Sequence, residues 1–500
     1  MKFVSLPAAA LVASLLTGCA MIPDLPALRA PTDAAQLGLA GPATRVDAQW
    51  WRELGDEQLD RLVAQALAGN PGLRLAVARL DRARAVTDAA DAALLPQVNG
   101  ALDLNRQLYT QQGLIPRPIA GTVRNTGNVA LSANWEIDVY GKYQAALQAA
   151  LGQTRAAQAE TDAARVLLSG HVVQAYLRLA RMYAQEAVAD RAISQREEAL
   201  RLVRSRVQAG LDSDLELRQA EANLPEARGQ REAIQEQIDL ARHAIAALVG
   251  QPAQDPVTRR PDMSALRPLA VPTDLPADLL GRRPDIQAAR WRAEAAGAEV
   301  SQARAQFYPN INLGAFVGFS SLGLGKLLDG NSQQWGAGPA LRLPIFEAGR
   351  LTAMLRGKAA DRDAAIASYD ATVTDAVREV ADQLSALRAI DRQRIQQREA
   401  EAAAQAAYDL ALRRYQAGLG NLLWVLNAET AVLGQRRQGV DLAARAFEAQ
   451  ASLLRALGGG WTSDAPAAAG AASAASSRVA APVATPVPAA AVASAPFSVR

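Results

Sequence analysis

The chain has 500 residues, and 53 Lys plus Arg stand against 50 Asp plus Glu, for a formal net charge of +3. Those charges are spread along the sequence, so no basic stripe points to a nucleic-acid partner. No run of about 20 apolar residues follows the N-terminus, which argues against membrane-spanning helices, and the single cysteine excludes an internal disulfide or a cysteine-rich metal site.

Lys2 and the apolar stretch from Phe3 to Leu16 predict a secretory leader over 1–18. Leu16-Thr17-Gly18-Cys19 matches the bacterial lipobox, so Cys19 is expected to become a mature N-terminus carrying diacylglycerol and an N-acyl chain such as palmitate. That lipid is the only covalent addition expected, and no cofactor is. Ala20 follows the cysteine, which resembles lipoproteins sorted to the outer membrane; residues 19–49 then form a lipid-anchored segment.

Two copies of one unit follow, over 50–250 and 283–460. Asn70-Pro71 opens a helical pattern that stops at Leu95-Pro96-Gln97, and Arg283-Pro284 opens another that stops at Tyr308-Pro309-Asn310. Gly141-Lys142 and Gly349-Arg350 are 208 residues apart, and the same offset relates Val207-Gln208-Ala209-Gly210-Leu211 to Tyr415-Gln416-Ala417-Gly418-Leu419. Chance likeness between Ala-rich helices does not hold one offset across separate landmarks.

After each proline stop the hydrophobic period falls to two. Over 97–108, Val98, Leu102, Leu104 and Leu108 alternate with Asn99, Asp103, Asn105 and Gln107. Over 127–140, Val129, Leu131, Trp135, Ile137 and Val139 alternate with Asn128, Ser132, Asn134, Glu136 and Asp138. The second copy gives 310–319 and 334–345, with Ile311, Leu313, Val317 and Phe319, then Trp335, Leu341, Leu343 and Ile345. Runs of about ten residues suit tilted transmembrane strands with one face to lipid and one to a watery lumen. Strands of a soluble sandwich alternate as well, so pattern alone leaves that reading open. Four strands cannot close a barrel and lipid tolerates no open edge, so a membrane reading requires several copies; three supply twelve strands.

Long helices are predicted over 142–208 and 350–416, each 67 residues without proline and about 100 Å long at 1.5 Å per residue. Val166, Val173 and Ala180 recur at sevens, as do Ile193, Leu200 and Val207, a coiled-coil spacing. Gly210 and Gly418 suit the left-handed residue that closes a helix. Return helices over 213–250 and 421–457 complete two hairpins. Proline-rich residues 251–282 read as an irregular equatorial belt between the copies, and 461–500 as a disordered Ala/Pro/Ser tail.

These landmarks resemble the TolC-like outer membrane efflux channels, in particular their NodT-like lipoprotein branch. The segment from Leu275 to Ile286, with Gly281-Arg282-Arg283-Pro284-Asp285, is the most specific likeness; Trp135 to Lys142, Leu343 to Arg350 and Arg414 to Gly418 add to it. The resemblance implies a mixed α/β membrane protein: a homotrimer whose twelve-stranded β-barrel, four strands per subunit, stands in outer-membrane lipid and continues as a periplasmic α-helical coiled-coil barrel. It implies a passive duct in an efflux system, fed by a periplasmic adaptor and an inner-membrane RND-type transporter, with drugs or other small molecules as cargo. Gly210, Leu211, Gly418 and Leu419 would meet the adaptor. Glu216 and Tyr415 would supply one tip link of the family, whereas Gly420 stands where a second link has an arginine. Trp424 and Asn427 occupy positions that often carry acids, so Trp424 with Leu423 is expected to narrow the tip sterically; packing of Trp424 between helices is the competing expectation.

No catalytic constellation is present in the sequence. His171 and His243 lie in different hairpin arms without metal-ligand spacing, and neither a GxSxG elbow nor a phosphate loop occurs. Two other readings remain: a polypeptide-export duct of type I secretion, and a non-conducting lipoprotein strut.

Overall fold

The computed structural model describes residues 46–272 and 279–461. The predicted leader, Cys19, most of the predicted anchor segment, the belt residues 273–278 and the tail beyond Trp461 lie outside them.

A short helical turn, Trp50–Leu54, precedes α1 (Glu57–Gly69), which the sequence reading had not separated. Asp56 caps α1 by accepting from the Gln58 amide, and Leu59, Leu62, Val63 and Ala66 bury one face. Helix α2 (Pro71–Ala92) begins on Pro71, with Asn70 accepting from the Gly72 and Leu73 amides. There follow β1 (Gln97–Leu108), β2 (Val123–Ile137), α3 (Lys142–Gln208) and α4 (Asp214–Val249). One helical turn at Leu279–Arg282 leads into α5 (Pro284–Ala305), β3 (Asn310–Leu322), β4 (Gln333–Arg342), α6 (Arg350–Gln416) and α7 (Leu422–Ala456). Both 67-residue helices have the expected bounds.

The same order of elements thus occurs twice, and the two halves interleave. Along one stretch α3 packs against α2 and α5, and along another against α4 and α7, while α6 packs against α5 and α7. The shorter helices meet end to end. Asn70 Nδ2 donates to the Leu248 carbonyl at 2.8 Å, joining α2 to the end of α4. Arg283 donates to the Ala456 carbonyl at 2.8 Å, joining α5 to the end of α7. Glycine is required at both joints: a Cβ on Gly250 would lie 2.6 Å from the Gly69 carbonyl oxygen, and one on Gly458 would lie 1.9 Å from that of Arg282. Gly250 and Gly458 are also left-handed, with φ of +82° and +96°.

The largest core gathers at this level. Trp50, Leu54, Leu59, Leu62, Tyr176, Leu177, Ile238, Ile245 and Leu453 are buried there with Val257, Leu266 and Leu269 of the belt. Gln58 holds the belt in place: its Oε1 accepts from the Thr258 and Arg259 amides at 3.0 and 2.8 Å, and its Nε2 donates to the Arg259 carbonyl at 2.9 Å. Asp56 accepts from Tyr176 at 2.5 Å and from Arg259 at 3.1 Å. The described belt residues 251–272 are irregular, and besides Gln58 and Asp56 the Leu54 carbonyl, Gln450 and Arg242 also hydrogen-bond to them.

The four strands form one antiparallel sheet in the order β1-β2-β3-β4. Two strand ends differ from the sequence reading. β2 stops at Ile137 rather than 140, because Asp138 turns back to accept from the Gln144 amide at 2.7 Å and Gly141 (φ +73°) opens α3. β4 stops at Arg342 rather than 345, since its partner β3 begins at Asn310 opposite Arg342, and neither Pro309 nor Pro344 has an N–H to extend the ladder. Elsewhere pairing extends further than alternation did: Arg124 and Asn125 pair with Gln107 and Arg106, and β3 runs to Leu322.

Close approach of β2 and β3 fixes Gly318, whose Cβ would lie 2.1 Å from the Val129 carbonyl oxygen, whereas a Cβ on Gly338 would meet nothing within 4 Å. Gly318→Val is expected to cost roughly 1–3 kcal/mol or more by overpacking and to deplete protease-resistant protein from outer-membrane fractions. Gly338→Ala is expected to leave that yield unchanged.

Candidate functional site

The sheet has two chemically distinct faces, and its register makes them. Residues directly paired across strands share a face. Val129 pairs with Leu102 and Phe319, Leu131 with Val317, and Val317 with Trp335; Trp135 pairs with Leu313, and Ile311 with Leu341. On the opposite face Asn99 pairs with Ser132, Asp103 with Asn128, Asn128 with Ser320, and Glu136 with Asn312. The apolar face is bare within the chain: Val98, Leu102, Leu104, Leu131, Val317, Trp335 and Leu341 are all exposed. Two large apolar side chains lie on the polar face: Phe316, whose ring covers Gly336, and Leu322, paired with Thr126.

β1 and β4 each pair with one strand, so both outer edges of the sheet carry unpaired backbone donors and acceptors. At the junction with the helices Tyr140 stacks on Tyr308, ring centres 4.7 Å apart, and Lys142 pairs with Glu136 at 2.7 Å. Among the described residues no helix is long and apolar enough to cross a membrane.

At the other end α3 and α6 close alike. The Gly210 amide donates to the Val207 carbonyl and that of Leu211 to Arg206, while Gly418 donates to Tyr415 and Leu419 to Arg414. Both glycines are left-handed, with φ of +72° and +74°. Leu211 and Leu419 are exposed on the two turns, with Leu215 and Leu423 close behind them in the chain. Behind the turns a small core of Leu200, Val203, Ala220, Tyr415, Leu422 and Val425 holds the hairpins together.

The expected partnership of Tyr415 with Glu216 is not formed within the chain. Glu216 closes the capping box of α4, accepting from the Ser213 amide at 3.0 Å. Tyr415 donates instead to the Asp212 carboxylate, which also receives the Arg206 guanidinium at 3.0 and 3.3 Å. The guanidinium lies 4.8 Å from the Tyr415 ring centre. Asp212 was missed because the family resemblance pointed to the acid six residues after Gly210; its signal was Arg206 six residues before it, able to meet it once Gly210 reverses the chain. Partial burial pushes the Asp212 carboxyl upward, but hydrogen bonds from Arg206 and Tyr415 outweigh it and hold the carboxyl below its usual range. Burial and the Asp212 contact both push the Tyr415 hydroxyl up.

Trp424 is 59% exposed and Leu423 52%, so neither packs between helices of this chain. Asn421 caps α7 by accepting from the Trp424 amide at 3.2 Å, and Asn427 is exposed one turn further on. His171 and His243 lie on α3 and α4, and no group of three or more His, Cys, Asp or Glu among the described residues could hold a metal ion.

Tyr415→Phe keeps the ring against Arg206 but removes the donor to Asp212, a hydrogen bond to a charged group that contributes roughly 1.5–3 kcal/mol. Amide exchange over 207–222 is expected to accelerate while exchange around Tyr176 stays unchanged. A depressed carboxyl contributes stability that is complete above its unfolded value of 3.8 and is lost as pH falls through the lower folded value. Tip protection, corrected for intrinsic rates, is therefore expected to be flat from about pH 8 to about pH 5 and to fall only at stronger acidity.

The outer membrane efflux protein family profile matches residues 62–251 and again 275–459. The chain is 40% identical over 362 residues to the fusaric acid resistance protein FusA of Burkholderia cepacia, covering 69% of this chain and 67% of that one. It is 34% identical over 461 residues to the toluene efflux pump outer membrane protein TtgF of Pseudomonas putida, covering 89% and 95%. Among solved structures, the outer membrane protein VceC of Vibrio cholerae superposes with a TM-score of 0.77 at 34% identity, over 83% of this chain and 99% of that one. The Campylobacter jejuni CmeC outer membrane channel superposes with a TM-score of 0.79 at 25% identity, over 89% and 96%. With two profile matches that together span most of its length, this chain belongs to the outer membrane efflux protein family.

Proposed function

We propose that this outer membrane efflux protein is the passive exit duct of a tripartite pump. Three copies join β4 of one to β1 of the next and close a twelve-stranded barrel, with the apolar face toward outer-membrane lipid and the polar face toward water. The helices continue the passage into the periplasm, and a lipid on Cys19 anchors each copy. One observation carries the reading: a four-stranded sheet with a bare apolar face, a polar face and two unpaired edges. Lipid leaves no water to satisfy those edges, so pairing with further copies is the remaining way to complete them. A strut has no need of that sheet.

The turns at Gly210-Leu211 and Gly418-Leu419 meet a periplasmic adaptor, which delivers cargo from an inner-membrane RND-type transporter. Exposed leucines on capped, reversible chain ends are suited to docking another helical hairpin. Small organic molecules, drugs among them, are the cargo; relatives named for fusaric acid resistance and toluene efflux support that class. Nothing in the reading calls for catalysis by the duct.

Its resting tip is narrowed by Trp424 with Leu423, with Asn427 behind them, rather than by a ring of carboxylates. The Tyr415–Asp212–Arg206 contact keeps the nearby acid paired with a cation inside each subunit. Full-length protein extracted from outer membranes and reconstituted in planar bilayers is expected to have the mass of three chains and a small resting current, which Trp424→Ala increases several-fold. Monomers without conductance would sink the duct reading. A trimer whose resting current ignores Trp424→Ala would retire only the steric tip.

A further inference from the structure

Further up, the seam between α3 and α7 carries polar pairs, Gln185 with Asp441 and Gln174 with Ser452, but toward the tip it is apolar on both sides of one charged layer. Above it Val188 and Ala192 of α3 pack with Leu433 of α7; below it Leu200 and Val203 pack with Leu422 and Val425. Between them, at the same four-residue spacing, stand Arg196 and Glu429, which are 9% and 5% exposed. A charge pair therefore occupies the position where each neighbouring turn puts a hydrocarbon.

The pair is incompletely satisfied. Arg196 Nη1 donates to the Asn223 carbonyl of α4 at 2.7 Å and lies 3.7 Å from Glu226. Its Nε faces Glu429 Oε1 at 3.6 Å, and both of those buried atoms lack a hydrogen bond. Tyr408 of α6 packs against the apolar layer just below. The repeat-equivalent positions are Ala404 on α6 and Glu221 on α4, and Glu221 is paired with Arg204 and Arg218 near the surface.

We infer that Arg196 and Glu429 are positioning residues of the tip: their layer is the weak joint below which the two hairpin ends move as a unit, separately from the helices above. Buried charges pay desolvation that only good geometry offsets, and this geometry leaves two polar atoms unmatched. Apolar packing continued through this layer would couple the Val188–Leu433 contact to the turns; the charged layer interrupts it and lets the tip open locally without loosening the core around Tyr176. The inference rests on the reading of the tip as the moving end of a duct, but its main readout does not require transport.

Hydrogen exchange on the full-length, lipid-reconstituted protein tests it. Wild-type protection is expected to drop in a step between residues 188–192 and 200–203 of α3, and between 433 and 425 of α7. Arg196→Met with Glu429→Leu fills the layer with apolar side chains, and replacing both charges in this way is often neutral or stabilising. Tip amides in that variant are expected to exchange roughly fivefold more slowly or less still, with exchange above the layer unchanged and channel openings rarer. Glu429→Gln, which strands the guanidinium, is expected to accelerate tip exchange. A smooth decline without a step, or a double variant that shifts both sides of the layer equally, overturns the inference. A protein that shows the step but never conducts leaves the joint standing and removes the duct.

Discussion

Unpaired strand edges at β1 and β4 are the constraint on which the rest of this molecule turns. In water, solvent would satisfy those donors and acceptors; beside hydrocarbon each one left open costs several kcal/mol. The same sheet carries an exposed apolar face whose burial is worth about 25 cal/mol per Å² wherever it meets lipid. Lipid thus rewards the face and penalises the edges, and both demands are met together only when the sheet is continued by further strands. On the proposed reading, association would follow from backbone hydrogen bonding before any side chain at a subunit boundary is considered.

The helical part answers a different demand, that of continuity. α3 and α6 are uninterrupted, whereas their counterparts are each made from two helices set end to end, α2 after α4 and α5 after α7. Helix ends normally expose unpaired carbonyls and amides. Here Asn70 and Arg283 fill those positions, and glycines at 250 and 458 remove the Cβ atoms that would hold the ends apart. Arg283 also pairs with Asp285 and Glu379, and Glu379 with Arg455, so one buried guanidinium ties the start of the second copy to α6 and the end of α7. That network gives a physical reason for the Arg-Arg-Pro-Asp run singled out in the sequence.

At the tip, charge is neutralised locally. Asp212 is shared by a guanidinium and a phenol from two hairpins, and Glu216 is engaged by its own helix start. Outward on the turns stand five large apolar side chains, Leu211, Leu215, Leu419, Leu423 and Trp424, beside exposed Asp214, Arg413 and Arg414.

The sequence by itself determined the elements and their order. Proline at 71 and 284, glycine at 210 and 418, and strict alternation in the strands are local rules, set by φ restriction, the left-handed cap and the two-residue pleat. Hence both long helices have their expected bounds, while strand ends moved by a few residues where Asp138 or Pro344 redirected the chain. Only the tertiary structure decided how the copies interleave, that α1 is a separate helix, that Gln58 organises the belt, and that Asp212 rather than Glu216 meets Tyr415. The reason is sequence distance: Tyr415 and Asp212 are 203 residues apart, and which of two nearby acids reaches the phenol depends on the path of the five-residue turn 209–213. Alternation likewise announced an apolar face and a polar face, but which strands border each other, and therefore where the edges lie, is a property of the folded sheet.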